Sequence, residues 1–255
     1  MIRAMRTMTG LVLAGVALMT TLGVAGGGGL LTALGVAGEG KKNSAVVPVP
    51  RMDKDFWKQR HEKFLARAKQ GEVNIVFLGD SITQGWEGRG KKVWEANFEP
   101  LKAVNFGISG DRTEHVLWRI TEGGELQGIE PKLAVVMIGT NNTGANTAPE
   151  IIEGITAIVK ELGKQKPNMK VLLLGVFPRS AKADDPVRKK IVAVNQGIAQ
   201  LHDGKRVFFL DIGKRFLQED GTLTKEIMPD LLHLSERGYE IWAEAIIERV
   251  RELMK

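Results

Sequence analysis

Five short apolar runs, separated by helix-forming segments, constrain the fold of this chain more than any other feature. Each run has four to seven residues and is rich in β-branched or aromatic side chains, as in parallel strands buried on both faces. The runs are 73–79, 103–106, 133–138, 171–176 and 207–210. Strand–helix alternation predicts an α/β fold, a three-layer sandwich around a central five-stranded parallel sheet. Such sheets bind ligands at the carboxyl ends of their strands, so functional residues are expected directly after the runs.

Amphipathic patterns predict the helices that cover this sheet. Thr147-Ala148-Pro149-Glu150 has the form of a capping box and opens a helix with apolar residues on one face. Further helices are predicted from about 51 to 71, from 186 to 201, and from 235 to the C-terminus.

The first 50 residues differ in composition from the rest. Arg3 and Arg6 precede an apolar, glycine-rich run that reaches Ala37, which predicts a signal peptide or an N-terminal membrane anchor over residues 1–37. Residues 38–50 are interpreted as a linker and 51–255 as the folded domain. Either form of the N-terminus predicts an exported protein, periplasmic or extracellular, that contacts a membrane only through this segment.

Composition excludes several kinds of site. The chain has no cysteine, which rules out disulfides, thiolate metal sites and a cysteine nucleophile. Half of the net charge of +6 comes from residues 1–45, and the other basic residues alternate with acids, so no nucleic-acid partner is predicted. No Cys/His cluster or phosphate-cradling glycine loop occurs, so neither a metal nor a cofactor is expected.

A serine follows the first predicted strand, in Gly79-Asp80-Ser81. A serine at this point meets the N-terminus of the next helix, where free N–H groups and the helix dipole favour an oxyanion. Ser81 is therefore a candidate nucleophile. The alternative is a helix N-cap, a common role for serine between a strand and a helix.

Two further strands end at candidate oxyanion donors. Gly107 follows the second run and could offer an unobstructed backbone N–H, unless it is only a turn glycine. Asn141, in Gly139-Thr140-Asn141, follows the third run and could direct its side-chain amide into the same space. Its alternative role is that of a turn asparagine.

The C-terminal part carries an acid–base pair. Asp230 and His233 are three residues apart in the loop after the fifth run, a spacing that lets the carboxylate accept from the imidazole and orient it as a general base. The alternative is a capping aspartate beside a surface histidine. None of the other histidines, at positions 61, 115 and 202, has an acid at this spacing in a loop after a strand.

Taken together, Gly79-Asp80-Ser81, Gly107, Gly139-Thr140-Asn141 and Asp230-x-x-His233 resemble the four blocks of the SGNH (GDSL) hydrolases. The resemblance implies a flavodoxin-like fold and a serine esterase with a Ser81–His233–Asp230 triad. It also implies an oxyanion hole formed by the N–H groups of Ser81 and Gly107 and the side chain of Asn141.

A closer likeness concerns residues 105–119, 139–142, 178–179, 232–235 and 238–239, which are similar to the catalytic subunits of intracellular platelet-activating-factor acetylhydrolase Ib. This branch implies removal of acetyl groups, and its bacterial relatives include exported carbohydrate acetylesterases. Many SGNH hydrolases have aspartate where this chain has Asn142, although the acetylhydrolase branch resembles it here. An export signal does not fit an intracellular enzyme, so the natural substrate is not carried over.

These observations predict hydrolysis of a small-molecule or glycan ester with a short acyl group, and they leave oligomerisation open. Ile82 and Thr140 are candidates to line the acyl pocket, and Trp86 and Trp94 could stack on sugars, although packing is their ordinary role. Two other functions stay open on the same fold. One is a lipase or thioesterase for longer acyl chains, and the other is a non-catalytic carbohydrate-binding protein of the cell envelope.

Overall fold

Five parallel strands confirm the fold class predicted from the apolar runs. The structure, a computed structural model, describes residues 42–255. The strands form one sheet in the order β2-β1-β3-β4-β5. They are Ile75–Gly79 (β1), Ala103–Gly107 (β2), Leu133–Met137 (β3), Lys170–Leu174 (β4) and Val207–Leu210 (β5).

Helices alternate with these strands, as predicted. They are Asp55–Lys69 (α1), Ser81–Gln84 (α2), Lys91–Asn97 (α3), Thr113–Ile120 (α4), Ala148–Gln165 (α5), Pro186–Ala199 (α6) and Glu236–Leu253 (α7). Short 3-10 helices lie at Ser44–Val46, Gly85–Glu87, Glu99–Leu101, Thr140–Asn142 and Gly213–Phe216. The predicted capping box opens α5: Thr147 accepts a hydrogen bond from the backbone N–H of Glu150, whose carboxylate accepts from the backbone N–H of Thr147 at 2.7 Å.

The sheet is buried on both faces, which explains why the strands are apolar throughout rather than alternating. On one face, Val76, Leu78 and Val136 belong to a core completed by α1, α4, α5 and α6. On the other face, Phe77 and Val135 belong to a second core completed by α7, with α3 packed against it.

The strand order places the ends of β1, β2 and β3 side by side. β1 pairs with β2 on one edge and with β3 on the other, and Gly79 is in register with both Gly107 and Met137. After β1 the chain continues to β2 on one side, whereas after β3 it continues to β4 on the other side. This reversal opens the crevice in which such sheets bind ligands.

Part of the segment interpreted as a linker packs on the domain. Asn43 Nδ2 donates to the carbonyl of Glu150 at 3.1 Å, and the carbonyl of Ala45 accepts from Thr113 Oγ1 at 2.9 Å. Ala45 is completely buried. The packed structure thus begins by Asn43 rather than at residue 51, because buried polar groups of α4 and α5 find their partners in this segment.

The predicted signal or anchor, residues 1–37, and the first part of the predicted linker lie outside the described residues. Among residues 42–255, no helix has the length and apolar character needed to cross a membrane.

Candidate active site

Ser81 is the first residue of α2, directly after β1. Asp80 caps this helix, because its Oδ1 accepts from the backbone N–H of Ile82 at 2.9 Å. Ser81 is therefore not the N-cap, which was its alternative role. Its backbone N–H donates to no described residue, as is usual in the first turn of a helix, so this donor is available to a ligand.

The close turn from β1 into α2 depends on Gly79. A Cβ at this position would lie 2.5 Å from the carbonyl oxygen of Met137 and closer still to Thr83 Oγ1. Glycine thus lets α2 begin against the end of the neighbouring strand, and this fixes Ser81 at the rim of the sheet.

His233 connects Ser81 to Asp230. The Nε2 atom of His233 lies 2.9 Å from Ser81 Oγ, and its Nδ1 atom lies 2.6 Å from Asp230 Oδ2. A histidine that donates from Nδ1 to the carboxylate has its Nε2 lone pair available to accept the serine proton. The three predicted residues thus form one hydrogen-bonded chain, although 152 positions separate Ser81 from His233.

The loop around Asp230 holds its carboxylate in the charged form. Oδ1 accepts from the backbone N–H groups of Leu232 and His233 at 3.1 and 2.7 Å. Partial burial alone would raise the pKa of Asp230, but the hydrogen bonds from the side chain and backbone of His233 lower it to about 2. A carboxylate ionised over the whole neutral range can stabilise an imidazolium.

Asn141 lies in the 3-10 helix that follows β3, with its side chain fixed by the loop after β2. Nδ2 donates one hydrogen bond to the carbonyl of Asp111 at 2.9 Å. A carboxamide nitrogen carries two N–H groups, so the other remains for a ligand. This arrangement fits the predicted donor role better than that of a simple turn residue.

Gly107 does not fit the donor role that the sequence predicted for it. Its N–H already donates to Asn105 Oδ1 at 2.9 Å, and Asn105 is itself held by Nδ2, which donates to the carbonyl of Thr83 at 3.0 Å. Nor is Gly107 a turn glycine, since it is the last residue of β2. A Cβ here would lie 2.8 Å from the carbonyl carbon of Thr83 and nearer still to the N atom of Gln84, so glycine is needed for α2 to approach β2.

Gly110 offers the free donor that Gly107 lacks. Its N–H makes no hydrogen bond to any residue in 42–255, and it precedes Asp111, whose carbonyl holds Asn141. Its φ of +77° lies in the left-handed region, which favours glycine. The signal for this residue in the sequence is a second glycine in the loop after the second run. The sequence-based prediction placed the donor at the glycine nearer the strand instead.

A family model for the GDSL-like lipases and acylhydrolases matches residues 77–241, more than half of the chain. The chain belongs to this family. As a member, the acylhydrolase is a carboxylic ester hydrolase, and the predicted family resemblance is confirmed.

Two relatives with high sequence identity support the same family assignment. The acylhydrolase is 42% identical over 204 residues to human platelet-activating factor acetylhydrolase IB subunit alpha1, covering 78% of this chain and 86% of the relative. It is 39% identical over 220 residues to the alpha2 subunit from Gallus gallus, covering 85% and 94%. Both relatives are matched over most of their length.

Solved structures share the fold at lower identity. A GDSL-like lipase from Bacteroides thetaiotaomicron superposes with a TM-score of 0.61 at 22% identity, covering 76% of this chain and 97% of that one. An acetylxylan esterase from Geobacillus stearothermophilus gives a TM-score of 0.56 at 20% identity, covering 72% and 94%.

A cavity of about 280 Å³ opens beside Ser81 in the acylhydrolase. Its lining combines residues of the α2–α3 connection with the loop and helix around His233. The lining residues are Ser81, Gly85, Gly88, Arg89, Asp230, His233, Leu234 and Tyr239. Tyr239 also fixes the backbone after the nucleophile, because its hydroxyl donates to the carbonyl of Ile82 at 2.7 Å.

The two residues predicted to line the acyl pocket are buried instead. Ile82 and Thr140 are each 1% exposed, and neither lines the cavity that contains Ser81. Ile82 belongs to the second core, while the carbonyl of Thr140 accepts from Thr143 Oγ1 at 2.6 Å. Their positions next to Ser81 and Asn141 in the sequence suggested contact with a ligand, but the local backbone turns both side chains inward.

A sugar-stacking role, which the sequence left open, does not fit Trp86. This residue is 1% exposed and packs against Tyr239 and Trp242, with ring centroids 4.6 and 4.8 Å apart. Trp94 is partly buried against the same core, 4.9 Å from the Phe77 ring centroid. Packing, the ordinary role expected for both tryptophans, is what the structure shows.

Asn142 joins the Gly139-Thr140-Asn141 segment to α4. Its Oδ1 accepts from the backbone N–H of Thr113 at 3.0 Å, and its Nδ2 donates to Glu114 Oε2 at 3.0 Å and to Asn146 Oδ1 at 3.1 Å. An aspartate could not donate to Glu114, so asparagine suits a partner that is itself a buried carboxylate.

Proposed function

We propose that this acylhydrolase is a serine esterase that removes short acyl groups, acetyl by preference, from ester-linked alcohols of carbohydrates or lipids. The observation that carries the proposal is the hydrogen-bonded chain from Ser81 Oγ to His233 at 2.9 Å and from His233 to Asp230 at 2.6 Å. It lies at the carboxyl end of β1, where a sheet of this order binds ligands.

In the proposed first step, Ser81 Oγ attacks the ester carbonyl carbon while its proton passes to His233 Nε2. Asp230, ionised and bonded to Nδ1, stabilises the imidazolium. The tetrahedral intermediate collapses when the carbon–oxygen bond to the alcohol breaks and His233 returns its proton to that oxygen. The products are the free alcohol and an acyl group on Ser81.

In the second step, His233 takes a proton from water as the water oxygen attacks the acyl carbon. Collapse of this second intermediate breaks the bond to Ser81 Oγ, which recovers its proton from His233. The carboxylic acid leaves, and the site returns to its starting state.

The oxyanion hole is the part of the proposal that we revise. We assign its donors as the N–H groups of Ser81 and Gly110 together with the second N–H of Asn141 Nδ2, because these three donors have no partner among the described residues. Gly107 is left out, since Asn105 occupies its N–H. Preorganised donors of this kind are usually the largest single contribution to acyl transfer.

The preference for a short acyl group rests on the relatives. Two relatives at about 40% identity are named acetylhydrolases.

Release of acetate from a panel of acetylated glycans and lipids tests the proposal. We expect turnover by the unchanged enzyme and a loss of about 10⁴–10⁶-fold in Ser81→Ala. Ser109→Ala is a matched control, because the Ser109 hydroxyl is exposed and makes no hydrogen bond with the described part of the chain. Equal acetate release by Ser81→Ala and the unchanged enzyme would refute the mechanism.

Two further measurements separate the other functions. Faster hydrolysis of p-nitrophenyl octanoate than of p-nitrophenyl acetate would favour a lipase or thioesterase over an acetylesterase. Failure of an organophosphonate to label Ser81 would favour a binding protein without catalysis.

A further inference from the structure

Arg89 is the one cationic side chain in the lining of the cavity that contains Ser81 and His233. We infer that Arg89 selects esters whose alcohol part carries an anionic group, a carboxylate or a phosphate. This inference rests on the proposed function and adds the chemical class of the substrate.

The backbone around Arg89 fixes it at the rim of the cavity. Gly88 and Gly90 flank it, and a Cβ on Gly90 would lie 2.6 Å from the Trp86 ring and 2.8 Å from the Tyr239 ring. Glycine thus lets the loop pack directly on the buried aromatic residues. Because the packing of Gly90 on Trp86 and Tyr239 fixes the loop, the Arg89 side chain extends from an exposed position beside the site.

The guanidinium of Arg89 has no carboxylate partner within the described part of the chain. Its one hydrogen bond is a long one of 3.4 Å, donated to the carbonyl of Leu234. Nearby acids are engaged elsewhere: Glu87 binds Arg60 at 2.6 and 2.8 Å, and Glu236 lies 3.7 Å from Lys92. The planar donors of an arginine suit bidentate binding of a carboxylate or a phosphate.

Arg89 supplies a local positive charge on one side of the cavity. Asp230 is the one carboxylate in the lining, and it is bonded to His233. The charges of Asp230 and Arg89 cancel in sum, but Asp230 is held by His233, so the guanidinium of Arg89 is the charged group available to contact an anion.

The position of Arg89 assigns the anion to the alcohol rather than to the acyl group. The cavity contains His233, which delivers the proton to the leaving oxygen, but it is not lined by Gly110 or Asn141, which we assign to the carbonyl oxygen. The alcohol therefore departs on the side of Arg89.

A pair of matched acetate esters tests this inference. 3-Acetoxybenzoate carries a carboxylate on the leaving phenol, and 3-acetoxybenzamide is its neutral counterpart of similar shape. The measured quantity is the ratio of kcat/KM for the anionic ester to kcat/KM for the neutral one. We expect Arg89→Gln to lower this ratio about fivefold at low salt, as for one exposed charge pair, and Arg89→Lys to restore part of it.

A third ester distinguishes carboxylate from phosphate as the anion that Arg89 prefers, and a salt series tests whether the effect is electrostatic. With 3-acetoxyphenyl phosphate in place of the benzoate, a larger drop in Arg89→Gln would assign phosphate as the preferred anion, and a smaller drop would assign carboxylate. The ratio should also fall as sodium chloride rises from 10 mM to 0.5 M, because the charge of Arg89 is exposed.

Arg251→Gln is the matched control. It removes one positive charge from an exposed arginine of α7, which pairs with Glu248 at 2.8 Å and does not line the cavity. We expect its ratio to equal that of the unchanged enzyme. An equal ratio in Arg89→Gln would overturn the inference while Ser81-dependent hydrolysis of both esters left the proposed function standing. Absence of Ser81-dependent hydrolysis would overturn both.

Discussion

At the scale of single residues, the side-chain amide of Asn141 carries two N–H groups with different roles. One N–H of its amide is bound to the carbonyl of Asp111, and we assign the other to the oxyanion. Asn141→Ala should lower kcat by about 10²–10³-fold, as expected for one lost oxyanion donor. The unfolding midpoint should change little, because Asn141 is partly exposed. A steady-state assay with p-nitrophenyl acetate and a thermal melt measure both, and a variant that loses its fold along with its activity would contradict the assignment.

Asp80, next to the nucleophile, is a buried carboxyl group with one oxygen bound and one without a partner among the described residues. Burial raises its pKa from 3.8 to about 7, against the lowering effect of the hydrogen bond from Ile82. Between these two values the folded chain keeps a proton that the unfolded chain releases. The stabilisation is therefore complete below about pH 4 and is lost as the pH rises through 7.

Asp80→Asn should remove this dependence while keeping a good N-cap. We expect the unfolding free energy of the unchanged protein to fall by about 2–3 kcal/mol relative to the variant between pH 5 and pH 8. Urea unfolding at several pH values measures it. Asp53→Asn is the control, because the pKa of this exposed carboxyl is lowered, chiefly by its hydrogen bond with Lys54, and does not enter this range. Parallel stability curves for Asp80→Asn and the unchanged protein would contradict the prediction.

Some residues of the site could be predicted from the sequence and one could not. Ser81, Asn141 and the pair Asp230–His233 were found because each chemical type recurs at the end of a strand or at a spacing that its chemistry requires. The donor predicted at Gly107 was misplaced, because the choice of glycine depends on which backbone N–H meets the side chain of Asn105. Such a contact has no periodic trace in a sequence.

At the scale of elements, a buried arginine joins the ends of the first two strands. Arg119, on α4, donates to the carbonyl of Phe106 at 2.9 Å and to the carbonyl of Gly79 at 3.2 Å. It also forms ion pairs with Asp111 at 2.9 Å and with Glu125 at 2.7 Å. Because the carbonyl of Asp111 also holds Asn141, Arg119 supports the loop that carries the proposed oxyanion donor Gly110 and positions a second one, Asn141.

Arg119→Met should destabilise the protein by about 3–5 kcal/mol, since Asp111 and Glu125 each lose a fully buried ion-pair partner. Arg188→Met is a useful comparison, because Arg188 is also buried and donates to two carbonyls at 3.2 Å but forms no ion pair with a described residue. We expect a smaller loss there. Denaturant unfolding of both variants measures the difference, and equal losses would show that the carboxylates contribute nothing.

Elements with a clear apolar run or an amphipathic pattern were predicted well, whereas short helices without such a pattern were not. The five strands and the helices α1, α5, α6 and α7 lie within a few residues of their predicted positions. The helices α3 and α4 were not predicted. α4 has only eight residues, seven of them buried, so it shows no polar face and depends on tertiary contacts such as those of Arg119.

At the scale of the whole molecule, segments distant in the sequence meet at one end of the sheet. The predicted order of strands and helices was enough to expect this, because parallel strands place their carboxyl ends together. The N-terminal boundary of the domain was not predictable in the same way. Residues 43–47 form no long periodic element, and their attachment depends on single polar contacts with α4 and α5.

Two shortened chains test that boundary, one starting at Lys42 and one starting at Pro48. The longer chain keeps the buried Ala45, whose carbonyl accepts from Thr113, and keeps Ser44, whose hydroxyl accepts from Asn146 Nδ2 at 3.0 Å. In the shorter chain, Thr113 Oγ1 and Asn146 Nδ2 lose these acceptors. We expect it to be less stable by about 2–4 kcal/mol, at about 1 kcal/mol for each lost hydrogen bond and further loss from exposed apolar surface.

Gly154 gives an independent reason to regard residues 43–47 as part of the domain. It lies inside α5, where glycine costs about 0.5–1 kcal/mol relative to alanine, and a Cβ there would lie 2.8 Å from the carbonyl oxygen of Ala45. A helix that gives up this stability at the contact with Ala45 is built to receive the segment. The chain starting at Pro48 should therefore melt about 5–12 °C below the chain starting at Lys42. Equal melting temperatures would mean that the segment is a linker after all, and that Gly154 serves only the contact with Thr113.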